Sequence, residues 1–254
     1  GLEPGSKVAI ISKNCAHWVM SDLAIITAGY VSVPLYPTIP GDIIEYVMKH
    51  SEAKVAFVGK LDDWKKQKSG MPADVHCISF PFWTESCDAN WNDIVAKTSP
   101  LLNPPKRKDD ELMTIIYTSG TTGLPKGVIH SMHSFSFAIN HALATMKDLG
   151  KEERFFSYLP LSHIAERMLV EMGGIYSGGT ISFAESLETF PKDLQSVRPT
   201  VFLAVPRIWT KFQMGILNKM PQNKLNLLLA IPFVSSIIKN KIKSGLGLDK
   251  AKYV

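Results

Sequence analysis

Leu112-Met-Thr-Ile-Ile-Tyr-Thr-Ser-Gly-Thr-Thr-Gly-Leu-Pro-Lys-Gly127 runs an apolar segment straight into a short loop of hydroxyl residues, glycines and one lysine. Its first half, Leu112–Tyr117, reads as a buried strand. Residues 117–127 have the make-up of a phosphate grip. Gly120, Gly123 and Gly127 admit backbone angles closed to other residues and bring main-chain N–H groups close to an anion; the hydroxyls of Thr118, Ser119, Thr121 and Thr122 add donors, and Lys126 adds a mobile positive charge. A Walker-type loop needs Gly-x-x-x-x-Gly-Lys-Ser/Thr, but counting from Gly120 the sixth position is Pro125, and Gly127 follows Lys126. The dinucleotide pattern Gly-x-Gly-x-x-Gly also fails, because no two glycines of the loop are separated by a single residue.

Outward from this loop, short β-type runs alternate with helical patterns. Lys7–Ile11 reads as a strand, Asn14 as the cap of a helix with Val19, Leu23, Ile26 and Tyr30 on one face, and Val31–Tyr36 as an extended run closed by Pro37. Residues 42–50 are helical in pattern and 54–58 extended. Further strands are expected at 75–79, 128–131, 154–158, 180–183 and 200–205, separated by helix-length segments 134–147, 164–176 and 186–197. This alternation predicts an α/β fold with layered, mostly parallel sheets. Residues 99–111, rich in proline and charge, are the one linker-like stretch.

A chain of 254 residues with 45% hydrophobic content can bury roughly 70–75% of its unfolded surface, so a large core is expected. The formal charge of +5 comes from scattered lysines and gives a pI near 9.0. That is a mild bias towards anionic ligands or a lipid surface and not a nucleic-acid stripe. Cys15, Cys77 and Cys87 contain no Cys-x-x-Cys pair, which suggests neither a disulfide framework nor a zinc knuckle and fits a reducing cytosol. His130, His133 and His141 lack the accompanying carboxylates of a zinc site, and no Gly-x-Ser-x-Gly nucleophile elbow occurs. The chain opens without Met and without a leader pattern, and is expected to begin in mid-protein. Its longest apolar stretch, residues 225–238, contains Asn226, Pro232 and two serines and falls short of the ~20 residues that span a bilayer. Lysines flank it, so two readings stay open: a helix on an anionic membrane surface, or core packing.

The loop resembles the signature loop of the adenylate-forming enzymes, the AMP-binding superfamily of acyl-CoA synthetases, adenylation domains and firefly luciferases, across residues 117–127. Tyr158-Leu-Pro-Leu-Ser-His-Ile-Ala-Glu-Arg167 resembles the segment in which that superfamily sets an aromatic or histidine beside the acyl carboxylate, and His163 falls on that position. Its Leu-Ser-His-x-x-Glu-Arg form is most similar to long-chain fatty acyl-CoA synthetases. Val205-Pro-Arg-Ile-Trp209 looks like their acyl-pocket segment, with Arg207 and Trp209 as lining or structural residues. Lys7-Val-Ala-Ile, Asn14, Trp18 and Val33-Pro-Leu-Tyr-Pro-Thr38 look like their N-terminal region. Arg167 departs from members that carry an aromatic gate there. Read from its residues alone, His163 is equally a core or capping side chain.

The resemblance implies ATP-dependent activation of a long- or medium-chain fatty acid to an acyl-adenylate and then acyl-CoA. Lys126 and His163 would be catalytic, and Thr118, Ser119, Gly120, Thr121, Thr122, Gly123 and Lys126 would hold the nucleotide. Thr118 or Thr121 would reach Mg. ATP, Mg and CoA are the implied cofactors and a fatty acid the implied partner, without nucleic acid; peripheral membrane contact and a homodimer stay open. An adenylating enzyme with another acyl acceptor, or a non-catalytic acyl- or nucleotide-binding module, would share these residues. The chain is expected to be an incomplete N-terminal domain without its C-terminal domain. Residues near 1–32 and 151–254 would form one α/β subdomain, and residues near 33–150 the phosphate-loop subdomain.

Overall fold

The computed structural model describes residues 1–83, 87–118, 123–146 and 149–254. The chain divides into two compact units: Gly1–Ala142 with Leu159–Met168, and Leu143–Tyr158 with Leu169–Val254.

The first unit contains β1 (Lys7–Ile11), α1 (Ala16–Thr27), β2 (Val31–Leu35), α2 (Gly41–Ser51), β3 (Val55–Val58), α3 (Trp64–Gln67), β4 (His76–Ser79), β5 (Ala89–Asn90), α4 (Trp91–Lys97), β6 (Leu112–Thr118) and β7 (Lys126–Ser131). Most of α5 (Met132–Thr145) and α6 (Ile164–Glu166) belong to it as well. Its seven strands form one sheet in the order β5-β4-β3-β1-β2-β6-β7. Neighbours run parallel except β6 and β7, which are antiparallel. Central parallel strands are covered on both faces, which is why β1 and β2 read as near-continuous apolar runs. Val33, Ile44, Val47, Val58 and Trp64 pack in the core beside them.

The sheet assigns residues 1–32 differently from the expectation that joined them to 151–254. β1 is paired on both edges inside the first unit, from Lys7↔Val31 to Ile11↔Leu35 with β2 and from Val8↔Val55 to Ile11↔Val58 with β3. Residues 159–168 also belong to this unit.

The second unit holds β8 (Arg154–Ser157), α7 (Gly173–Ser177), β9 (Thr180–Phe183), α8 (Phe190–Val197), α9 (Pro206–Lys219), α10 (Gln222–Ala230) and α11 (Pro232–Leu246). β8 and β9 are parallel, and Phe156, Phe190, Leu194, Phe202 and Leu248 make a core. The strand expected at 200–205 does not form. Only Val201 bridges, to Phe155 and Tyr253, and Pro206 already opens α9, where its fixed φ suits the first helical turn. The apolar stretch 225–238 is two helices, because Ile231 is extended (φ −92°, ψ 113°) and Pro232 starts a new one. Among the described residues, no helix is long and apolar enough to cross a membrane.

One backbone approach limits α2. A Cβ at Gly70 would lie 1.7 Å from the Gly41 carbonyl oxygen, so only glycine lets the turn after α3 meet the start of that helix. Gly70→Ala is expected to cost at least ~1–3 kcal/mol through a forced backbone shift. Gly245→Ala, at a helical position where a Cβ meets nothing within 4 Å, should instead be neutral or stabilising by up to ~1 kcal/mol. Urea unfolding of both variants checks the contrast; equal midpoints would show that the approach is not constraining.

Candidate functional site

The loop singled out by the sequence closes a β-hairpin. In the antiparallel register of β6 and β7, Tyr117 faces Gly127 and Thr118 faces Lys126, so the first hydroxyl and the lysine of the motif become cross-strand neighbours at the hairpin mouth. Both are exposed. Among the described residues, Lys126 makes no ion pair. Gly123 has φ +95°, a conformation L side chains rarely adopt, which explains its glycine. Ser119, Gly120, Thr121 and Thr122, also expected to hold the nucleotide, lie outside the described residues.

Below its mouth the hairpin is anchored. Tyr117 is buried, and its hydroxyl lies 2.7 Å from His50 Nδ1. Burial, with the neighbouring Tyr46, pushes the Tyr117 phenol up to about 12. Gly127 makes room for this packing, since a Cβ there would stand 2.8 Å from Ile115 Cγ2 and 3.3 Å from Tyr117 Cζ. The strand leading into the loop is therefore held on both sides of its last residues.

His163 sits on a second segment of the same unit. It is exposed and is the N-cap of α6, where its Nδ1 accepts a hydrogen bond from the Ala165 amide at 3.2 Å. An accepting Nδ1 leaves the proton of a neutral imidazole on Nε2, which makes Nε2 a donor. Capping and ligand contact are thus compatible, through different ring atoms. Asn14, expected to cap α1, does something else: the N-cap there is Cys15, without a side-chain cap. Asn14 Nδ2 donates to the Leu159 carbonyl at 2.6 Å, and the Leu161 amide donates to Asn14 Oδ1 at 3.0 Å. One side-chain amide so pairs with the chain just before His163 as a strand would.

Arg167, one turn beyond His163, is fully buried and paired with fully buried Asp22 of α1. Its Nε donates to Asp22 Oδ2 at 3.1 Å, Nη2 to Oδ1 at 2.7 Å and to Oδ2 at 2.5 Å, and Nη1 to Thr114 Oγ1 at 2.7 Å. The guanidinium also lies 5.3 Å from the Phe135 ring centroid and 5.9 Å from that of Trp18. On β7, His130 packs edge-on against Phe135, and burial together with the Arg167 charge holds its imidazole below the ordinary value. The helix behind His163 is thus tied to β6, the strand that runs into the phosphate-type loop. The sequence marks Arg167 only as a departure from members with an aromatic gate, and gives Asp22 no role. An aspartate among Trp18, Ile25 and Ile26 on the buried face of α1 was the signal for a buried ionic partner.

In the second unit, Trp209 packs edge-on against Phe202 and Phe212 and lines a cavity of about 320 Å³ with Phe212, Ile216, Leu217 and Leu225. Arg207 is exposed.

A family model described as "AMP-binding enzyme" matches residues 1–236. The chain belongs to the AMP-binding enzyme family. Long chain acyl-CoA synthetase 2 of Arabidopsis thaliana is 26% identical over 282 residues, covering 99% of this chain and 40% of its own length. The peroxisomal long chain acyl-CoA synthetase 6 of the same plant is 30% identical over 285 residues, covering 97% and 40%. The chain therefore spans 40% of the length of these curated relatives. The fold matches the A domain of a carboxylic acid reductase from Segniliparus rugosus, solved with AMP and a co-purified carboxylic acid, with a TM-score of 0.76 at 21% identity over 98% of this chain and 44% of that one.

Asn14→Ala removes both hydrogen bonds that hold residues 159–161 and should cost ~1–3 kcal/mol, with the Leu161 amide left bare. Hydrogen exchange at Leu161 is expected to rise at least ~10-fold, well above the change at β1 amides. Unchanged protection at Leu161 would show that the clamp does not hold this segment.

Proposed function

We propose that this chain supplies the ATP-phosphate and carboxylate-side portion of an enzyme that activates a long- or medium-chain fatty acid and passes it to CoA. The observation that carries the reading is the placement of Thr118 and Lys126 side by side at the mouth of a glycine-bearing hairpin, in a chain whose curated relatives are named as long chain acyl-CoA synthetases.

In the first step a carboxylate oxygen attacks the α-phosphorus of ATP, the bond to the β-phosphate oxygen breaks, and pyrophosphate leaves. In the second, the CoA thiol attacks the acyl carbon, its proton is lost, and AMP leaves with the carboxyl oxygen. The protein's task in step one is electrostatic, since an anion approaches an anion while charge builds on pyrophosphate. Lys126 Nζ, the Thr118 hydroxyl and the hydroxyls and amides of 119–122 would hold the β- and γ-phosphates. Mg²⁺ would supply charge neutralisation on those phosphates, and Thr118 or Thr121 is the hydroxyl suited to reach it. The exposed hydroxyl beside a cation that makes no ion pair among the described residues suits such a ligand. His163, with its proton on Nε2, would donate to one oxygen of the fatty carboxylate and keep that group from repelling the phosphates. On this reading the chain is the initial part of a longer N-terminal domain, and the remaining nucleotide contacts come from the rest.

Fatty-acid-dependent ATP–pyrophosphate exchange, run on the full-length parent with acids from acetate to palmitate, tests the reading. Exchange is expected, strongest with long acids, and Lys126→Ala should lower it by roughly 30- to 1000-fold, as loss of a charge-assisted transition-state contact of ~2–4 kcal/mol requires. No exchange with any acid would point to a binding module, and an unchanged rate in Lys126→Ala would remove the lysine from the site.

A further inference from the structure

The chain's positive charge is not evenly spread. Between Asp193 and Asp249 there is no acidic residue and there are eight lysines and arginines, more than the net +5 of the whole chain, so the remainder is net negative. Within that region α10 and α11 form a helical hairpin whose only link is Ile231. The inner face of α11 presents Val234, Ser235, Ile238, Ile242 and Leu246 to the unit, a spacing of about one turn, and these are buried or half-buried. The outer side is apolar where it should be polar. Phe233 is 80% exposed, Leu227 67%, Ile237 54% and Ile231 46%, and all four lie within one or two turns of the hairpin tip.

Behind this tip stand four exposed lysines, Lys224 on α10 and Lys239, Lys241 and Lys243 on α11. Among the described residues they make no ion pair. Lys224 and Lys239 are each seven residues from the Ile231–Pro232 turn, about 10 Å along a helix. That depth is close to the ~5–10 Å to which an interfacial apolar surface sinks below lipid headgroups, and lysine stems are long enough to keep their ammonium groups at the phosphate level.

We propose that the α10–α11 hairpin is a docking surface for an anionic lipid bilayer, with Phe233, Leu227, Ile231 and Ile237 inserted among the acyl chains and Lys224, Lys239, Lys241 and Lys243 on the headgroup phosphates. The charge selects the occupant. A protein groove able to bury four apolar side chains would leave four ammonium groups to be paired individually at its rim, whereas an anionic membrane offers negative charge all round an apolar interior. The hairpin has no helix that could span, so binding is reversible and peripheral.

Vesicle co-sedimentation of the full-length parent tests this, with phosphatidylcholine alone and with phosphatidylcholine containing about one third phosphatidylserine. Binding is expected to the anionic vesicles, to fall steeply between about 0.1 M and about 1 M salt, and to be weak on the zwitterionic ones. Lys239→Glu/Lys241→Glu/Lys243→Glu should reduce partitioning by at least ~100-fold, since each lysine near the surface contributes roughly fivefold. Leu227→Ser/Phe233→Ser should reduce it at least ~10-fold with the same salt slope, separating insertion from attraction. Both variants alter exposed side chains only, and circular dichroism checks that they fold. Equal binding to the two vesicle types, or no loss in either variant, would overturn the proposal. So would concentration-dependent dimerisation in sedimentation velocity that Leu227→Ser/Phe233→Ser abolishes, which would make a second copy the occupant.

Discussion

A carboxylate and a guanidinium at zero exposure, Asp22 and Arg167, face one another across 145 residues of chain. Removing two charges from water costs several kcal/mol for each ion, and only close geometry with further hydrogen bonds offsets that cost. Both conditions are met here. Asp22 takes three bonds from the guanidinium and one from the Ser32 hydroxyl, Arg167 donates again to Thr114, and Thr114 Oγ1 donates to the Ser32 carbonyl at 2.8 Å. Aromatic faces of Trp18 and Phe135 close over the cation. The cluster joins α1, β2, β6 and the helix that begins at His163, and an element shifted by one residue would strand a buried charge.

The same cluster explains why two motifs far apart in sequence sit on one rigid base. Thr114 is four residues before Thr118 on β6, so the strand fixed by Arg167 runs directly to the hairpin mouth where Thr118 and Lys126 are paired. Arg167 N donates to the His163 carbonyl at 3.1 Å, so the turn fixed by Asp22 begins at His163. Asn14 holds the approach to that turn from β1's side of the unit. Under the proposed function, groups meeting a polyphosphate and a carboxylate gain from being placed by packed elements, because positional error of an ångström weakens charge stabilisation steeply.

Much of this architecture was legible beforehand, for a physical reason. Strands covered on both faces are apolar along most of their length, so β1 and β2 stand out as short runs, and α1 between them buries one face. Elements without that burial escaped notice: β5 is two residues long and α4 buries none of its side chains. The run at 200–205 has strand composition, but its β-bridging is confined to Val201, with backbone hydrogen bonds from Thr200 to Arg154 and from Phe202 to Tyr253 beside it. The loop's wealth of hydroxyls and glycines beside one lysine is readable from residue types alone, whereas the cross-strand meeting of Thr118 and Lys126 depends on a register that composition does not encode. Asp22 and Arg167 were invisible as a pair because each looks ordinary in its own segment.

A double-mutant cycle on Asp22→Asn and Arg167→Met, read by urea unfolding, addresses the central constraint directly. If the pair holds the unit together, each single variant loses about 3–5 kcal/mol and the double variant loses far less than their sum, giving a coupling of roughly 3 kcal/mol. Losses that add to within about 0.5 kcal/mol would mean the two charges are accommodated independently, and the base under the hairpin and His163 would have to be sought elsewhere.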